Sequence, residues 1–236
     1  QRFDYCYKYV SDNPFQAELD NGNSPQDNGK LYVAKFNDDG TGEWLLLSVD
    51  NPALFGQFQD QADLLINTRL AADILGATPM DRPEWTTIGQ NGAVFWTLTN
   101  NSERGTPGTT PKGDPRPGAD AANPQAPNSD GHIIRTVDDN DHLGTTFTWE
   151  IMILASDTRG TPNVFTDPDA AYADPFGRLF IGTDGGQPDG LQDQLVVIDT
   201  TTDTPEPRRL LTGVASDEIT GWTQTPDFRT AFTNIQ

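Results

Sequence analysis

Eight runs rich in aromatic and β-branched residues punctuate the sequence, and nearly all are short and end at turn residues. They are Leu31 to Phe36, Glu43 to Val49, Ala93 to Leu98, His132 to Val137, Thr146 to Leu154, Leu179 to Gly182, Leu195 to Asp199 and Ala231 to Ile235. Such runs read as strands, because β-branched and aromatic side chains suit a pleated surface. Asp38 to Gly42 lies between the first two as a hairpin loop, and Pro175 to Arg178 leads into Leu179 in the same way. The repeating unit is a hairpin or meander spaced at roughly 40 to 50 residues, which fits degenerate propeller blades better than an evenly spaced sandwich. The expected fold is therefore all-β, a β-propeller made of a partial set of degenerate blades.

Two segments depart from that pattern. Gln57 to Leu75 places Phe58, Ala62, Leu65, Ile66, Leu70, Ile74 and Leu75 mostly three and four residues apart, ahead of Gly76 as a C-cap. The spacing predicts a helix or a pair of short helices inserted near 57–76, packed against a blade. Asn100 to Asp130 is crowded with Pro, Gly, Asn and Asp and holds almost no apolar residue larger than alanine. It reads as a long surface loop at about 100–130, and a loop of that length inside a compact domain is functional or disordered.

Charge narrows the partners. The chain has 35 acidic and 15 basic residues in 236, a formal net charge of −20, and all but seven of the acids are aspartate. Nonspecific binding to nucleic acid or anionic membrane rests on Lys/Arg patches, so neither is expected as a partner. Many aspartates belong to turns such as Asp38-Asp39-Gly40; others are candidate calcium ligands, and an Asp-rich, Lys-poor surface also suits a salty habitat. No run approaches the roughly 18 apolar residues of a membrane span. Cys6 is the only cysteine, so no internal disulfide forms, and with only His132 and His142 any metal site must be mainly oxygen-ligated. Calcium is the natural candidate. Elbow, P-loop, dinucleotide-fold and His-Glu-x-x-His motifs are absent.

Three constellations carry possible chemistry. In Met80 to Trp85, Pro79 and Pro83 stiffen the backbone around Arg82 and Glu84. Those two share one face of an extended segment, where a guanidinium can hold phosphate oxygens and a carboxylate a cation. The same spacing equally makes an ordinary surface ion pair. Gly131 to Arg135 opens a strand with His132, whose place at a strand start suits a structural hydrogen-bonding group, although a histidine also permits proton transfer. Gly182 to Gly186 and Asp217 to Gly221 place Asp184 and Glu218 beside glycine at strand ends, as turns or as calcium loops.

Leu64 to Asp73, Gly76 to Trp85, Leu98 to Asn101, Gly131 to Arg135, Gly177 to Gly185 and Phe232 to Gln236 occur in the order seen in the PhoX family of bacterial alkaline phosphatases, which the chain resembles from about Tyr7 onward. The hexapeptide Met80 to Trp85 and the Gly-His-Ile-Ile-Arg run are the most specific parts. The resemblance implies a six-bladed propeller, exported to the periplasm or secreted by the twin-arginine route. It also implies hydrolysis of phosphate monoesters at a mixed iron and calcium cluster. Carried over, it makes Arg82 the phosphate clamp, Glu84 a metal ligand, Asp184 and Glu218 calcium ligands and His132 a supporting group near the substrate.

The match is to the family's later half. The chain is thus expected to be the C-terminal portion of a single propeller domain over 1–236, lacking the upstream half and its iron-ligating cysteine, a role for which Cys6 lies too close to the hexapeptide. Its end at Gln236 reads as premature. Two other functions stand beside this one: a noncatalytic calcium-stabilised extracellular binding module, and a propeller hydrolase for another ester class.

Overall fold

The computed structural model describes residues 2–110 and 113–236. The chain opens with β1 (Arg2–Asp4), β2 (Tyr7–Ser11), a short helix α1 (Phe15–Asp20), and the hairpin β3 (Gly29–Phe36) and β4 (Thr41–Leu46). The hairpin turn forms where the Asp-Asp-Gly run predicts it. Asn37 and Thr41 close it through their backbones, Gly40 takes a left-handed φ of 83°, and Asp39 accepts from the Thr41 amide at 3.0 Å.

The inserted helical segment is a pair, α2 (Gln61–Ile66) and α3 (Thr68–Leu75). Asp60 caps the first by accepting from the Asp63 amide at 2.9 Å. Asn67 separates the two by folding its side chain back onto Asp63, and Gly76, at φ 69°, ends the second. Leu64, Ala71 and Ala72 seal against Val33 and Leu47 of the first hairpin region, so the apolar face packs on a sheet as the spacing requires. No described helix is long and apolar enough to cross a membrane.

The rest is β. After β5 (Met80–Asp81), which pairs with β1, come β6 (Pro83–Ile88), β7 (Val94–Leu98), β8 (His132–Asp138) and β9 (Thr146–Leu154). They form an antiparallel meander whose last strand also hydrogen-bonds β4, giving a seven-stranded sheet ordered β2-β3-β4-β9-β8-β7-β6. A second four-stranded meander follows: β10 (Pro168–Ala173), β11 (Arg178–Thr183), β12 (Gln194–Asp199) and β13 (Pro207–Thr212). The pair β14 (Ile219–Gln224) and β15 (Ala231–Ile235) comes last. Strand β10 lies against β6 and β7 on one side and against β14 on the other, so the first strands of three successive units stand side by side. The architecture is all-β and propeller-like.

Alternation explains the stacking. In a strand, neighbouring side chains point to opposite faces. Trp96 and Leu98 of β7 enter one core with Ala34, Phe36 and Trp44, drawing both parts of the large sheet onto a common face. Phe95, the residue before Trp96, enters another, against Leu179, Ile181, Val196 and Ile198 of the next unit. Phe180 and Leu195 then point the other way, against Ile219 and Trp222. Units apolar on both faces must be covered on both faces, at about 1.5–3 kcal/mol per buried large side chain. That requirement is what forces blades to stack.

The stretch 100–130 differs from a solvated loop. Pro111 and Lys112 lie outside the described residues, but Asn101, Arg104, Ala122, Asn123, Asn128 and Asp130 are buried. With few apolar groups to bury, the loop is ordered through hydrogen bonds to a buried charge, which a hydropathy argument does not anticipate.

Candidate functional site

Met80 and Asp81 leave β5 fully buried, and Arg82 reverses the direction of exposure. Its φ of 52° is a left-handed conformation for a non-glycine residue, immediately before a proline. The backbone there is pinned: the Arg82 carbonyl accepts from the Thr99 amide at 3.1 Å, and its own amide donates to the Met80 carbonyl at 3.2 Å. The twist turns the guanidinium away from Asp81 and towards the start of β6 and β10.

There Arg82 meets acids from two segments. Its Nε stands 3.5 Å from Glu84 Oε1 and its Nη2 is 3.9 Å from Asp184 Oδ2, while Nη1 donates to Asn100 Oδ1 at 3.3 Å. Asp169 on β10, Asp184 just after β11 and Glu218 just before β14 each offer an oxygen within 4.8 Å of the others. Like charges this close oppose one another's ionisation. Asp169 is pushed up to about 7, mainly by burial and then by Glu84, Asp184 and Glu218, against the lowering effect of Arg82. Burial and the neighbouring acids raise Glu218 as well. Asn100 also donates to Asp167 Oδ1 at 2.6 Å, and burial lifts Asp167 to about 6.

The structure thus brings together four of the five residues singled out in the sequence: Arg82, Glu84, Asp184 and Glu218. His132 stands elsewhere. It is fully buried at the start of β8, with Nε2 2.9 Å from the Ala122 carbonyl and Nδ1 3.1 Å from Asn128 Nδ2. Asn128 has donors on that atom and the Ala122 carbonyl only accepts, so the ring is neutral with its proton on Nε2. His132 therefore faces the loop network and has no contact with Arg82 or the three carboxylates. Asp169, Asn100 and Asp167 were missed by sequence reasoning. Asp167-Pro168-Asp169 sits outside every apolar run, and only its acid spacing beside a proline hinted at it. A cleft lined by Ile151, Ile153, Pro162 and Pro207 shares none of these residues.

Burial lowers the His132 pKa from 6.5 to about 4. Between those values the unfolded chain takes up a proton that the folded chain refuses, so stability is lost as pH falls from about 6.5 to about 4, by up to about 3 kcal/mol. His132→Gln, which cannot ionise, is expected to flatten that part of the pH–stability profile measured by urea unfolding. Equal slopes in the two proteins would refute a buried neutral histidine.

All donors in the cluster are oxygens, a set that fits a hard cation such as calcium. Nothing in it selects iron. Cys6 is sealed in the core beside Met80, where burial pushes its thiol up, and it does not reach the cluster.

No curated protein matches the chain. Among solved structures, it resembles PhoX of Pseudomonas fluorescens in complex with vanadate, a transition-state analogue, with 36% sequence identity and a TM-score of 0.83. The likeness covers 100% of this chain and 44% of that one, so the chain spans less than half the length of its structural relative. The family model described as alkaline phosphatase PhoX matches residues 1–236. Matched over its whole length and alike in fold, the chain belongs to the PhoX alkaline phosphatase family.

Proposed function

We propose that this chain supplies one wall of a metal-dependent phosphomonoesterase site, in which Arg82 grips phosphoryl oxygens beside a cation held by Asp169, Asp184 and Glu218, with Glu84 as a further ligand. The carrying observation is the convergence of one guanidinium with three mutually repelling carboxylates from separate segments. Uncompensated acids at this density are costly, and a divalent cation relieves the cost. The vanadate held by the Pseudomonas relative supports the substrate class, since vanadate adopts the five-coordinate geometry of phosphoryl transfer.

A cation in this position supplies neutralisation of the phosphoryl oxygens and polarisation of the ester. The chain's own residues do the rest. Arg82 offers a planar fork of donors matched to two phosphoryl oxygens, and its attraction grows as charge spreads over those oxygens in the transition state. Asn100 fixes the plane of the fork by accepting from Nη1 while anchored to Asp167. Glu84 and Asp184 flank the guanidinium, so its charge is held in place before substrate arrives. The substrates are small phosphate monoesters. Iron, expected from the family, would need ligands beyond this donor set. Family membership supports a periplasmic or secreted location, reached by the twin-arginine route.

The test uses the full-length protein loaded with calcium and iron. It is expected to hydrolyse an aryl phosphate, and Glu84→Ala is expected to lower turnover at least about tenfold while the fold melts within a few degrees of the parent. Calcium dependence with no phosphatase activity, or full turnover in the variant, would overturn the reading.

A further inference from the structure

A fully buried carboxylate with three side-chain donors lies outside the carboxylate cluster. It is Asp81, the residue before Arg82, which points the opposite way and is fully buried. Its Oδ1 accepts from Arg104 Nε at 2.6 Å and from Asn101 Nδ2 at 2.9 Å, and its Oδ2 accepts from Asn128 Nδ2 at 3.0 Å. Arg104, also fully buried, spends its remaining donors on the Pro79 carbonyl at 2.6 Å, the Gly118 carbonyl at 2.9 Å and Asp120 at 3.2 Å. It therefore grips both the side chain of Asp81 and the backbone two residues earlier.

The pattern is doubled one step along. Asp81 bonds Asn101 while its neighbour Arg82 bonds Asn100, so two successive residues on one segment are matched by two successive residues on the other. The backbone bond from the Thr99 amide to the Arg82 carbonyl lies between the segments. One asparagine faces the core and the next faces the site.

We propose that Asp81, with Asn101, Arg104 and Asn128, is a positioning device for Arg82: the buried carboxylate locks the backbone that holds the guanidinium in its left-handed, pre-proline conformation. A strained conformation at a working residue persists only when its surroundings over-determine it. Arg82 lies between short strands on irregular backbone, where side-chain direction is not set by a regular element, so its aim depends on what grips the residues beside it. The long loop, bonded to Asp81 from Asn101, Arg104 and Asn128, is what grips them. This inference rests on the phosphatase reading, through the role that reading gives Arg82.

The test is a double-mutant cycle in the full-length, calcium- and iron-loaded protein, reading vanadate affinity by inhibition or calorimetry, with metal content and melting temperature followed in parallel. Asn101→Ala, which removes one of three donors to Asp81, is expected to weaken vanadate binding about tenfold in folded, fully metallated protein. In an Arg82→Ala background the same change is expected to move affinity by less than about twofold, because its effect passes through a side chain already gone. Asp81→Asn is the stronger version; should it fail to fold, the Asn101 pair still decides. Unchanged affinity in Asn101→Ala, or an equal loss in both backgrounds, would overturn the positioning role. Should Arg82→Ala alone leave vanadate binding intact, the phosphatase reading of Arg82 fails first and this inference falls with it.

Discussion

Arg82→Ala in the full-length protein is expected to lower kcat for an aryl phosphate by about two orders of magnitude, close to 3 kcal/mol of transition-state stabilisation. The size follows from what is lost: a preorganised cationic fork aimed at oxygens whose charge spreads during phosphoryl transfer. Stability should hardly change, because the guanidinium is partly exposed and its contacts with Glu84 and Asp184 are long, at 3.5 and 3.9 Å. Arg82→Lys is expected to recover only part of the rate, since an ammonium cannot take two oxygens in one plane. Steady-state kinetics on protein of verified metal content and melting temperature provide the check. Turnover within a factor of about two of the parent would remove Arg82 from the chemistry.

The largest effect on stability is expected at Arg104. Arg104→Met leaves Asp81 a buried carboxylate with two neutral donors and no counter-charge, and should cost about 3–5 kcal/mol. That is a large share of the 5–15 kcal/mol typical of a folded protein. The loss comes chiefly from stranding a charge, so the double variant Asp81→Leu/Arg104→Met should regain a good part of it in denaturant unfolding. A double variant as unstable as Arg104→Met alone would mean that Arg104 acts through Pro79 and Gly118, independently of Asp81.

Two of the strands legible in the sequence, β7 and β12, are squeezed between blades. Val94 to Leu98 and Leu195 to Ile198 are apolar on both faces because both faces are covered, and Thr146 to Leu154 and Ala231 to Ile235 were bounded to the residue. The unrecognised strands include β6, β10 and β14, which read Pro-Glu-Trp-Thr-Thr-Ile, Pro-Asp-Ala-Ala-Tyr-Ala and Ile-Thr-Gly-Trp-Thr-Gln. These lie first in their units, packed against one another, and Pro, Asp, Gly and Thr interrupt their apolar residues, so they lack the apolar alternation by which a strand is recognised.

The site sits at the beginnings of those same strands. For that reason Arg82, Glu84 and Glu218 were found through motif rather than periodicity, and Asp169, inside β10, was not found at all. His132 shows the converse. The family resemblance draws it towards the substrate, whereas its ring completes the loop's hydrogen bonds. The loop's order comes from hydrogen bonds and ion pairs centred on the buried Asp81–Arg104 pair, a feature with no compositional signature.

One consequence of the carboxylate cluster lies outside catalysis. Asp169 and Asp184 belong to the second meander and Glu218 to the approach to β14, so the three oxygens straddle a joint between consecutive units of the ring. Empty, that joint is under electrostatic pressure to open; filled, it is riveted. Cation supply in the surrounding fluid would then set the mechanical integrity of the assembly, and a protein short of that cation should come apart first at this seam.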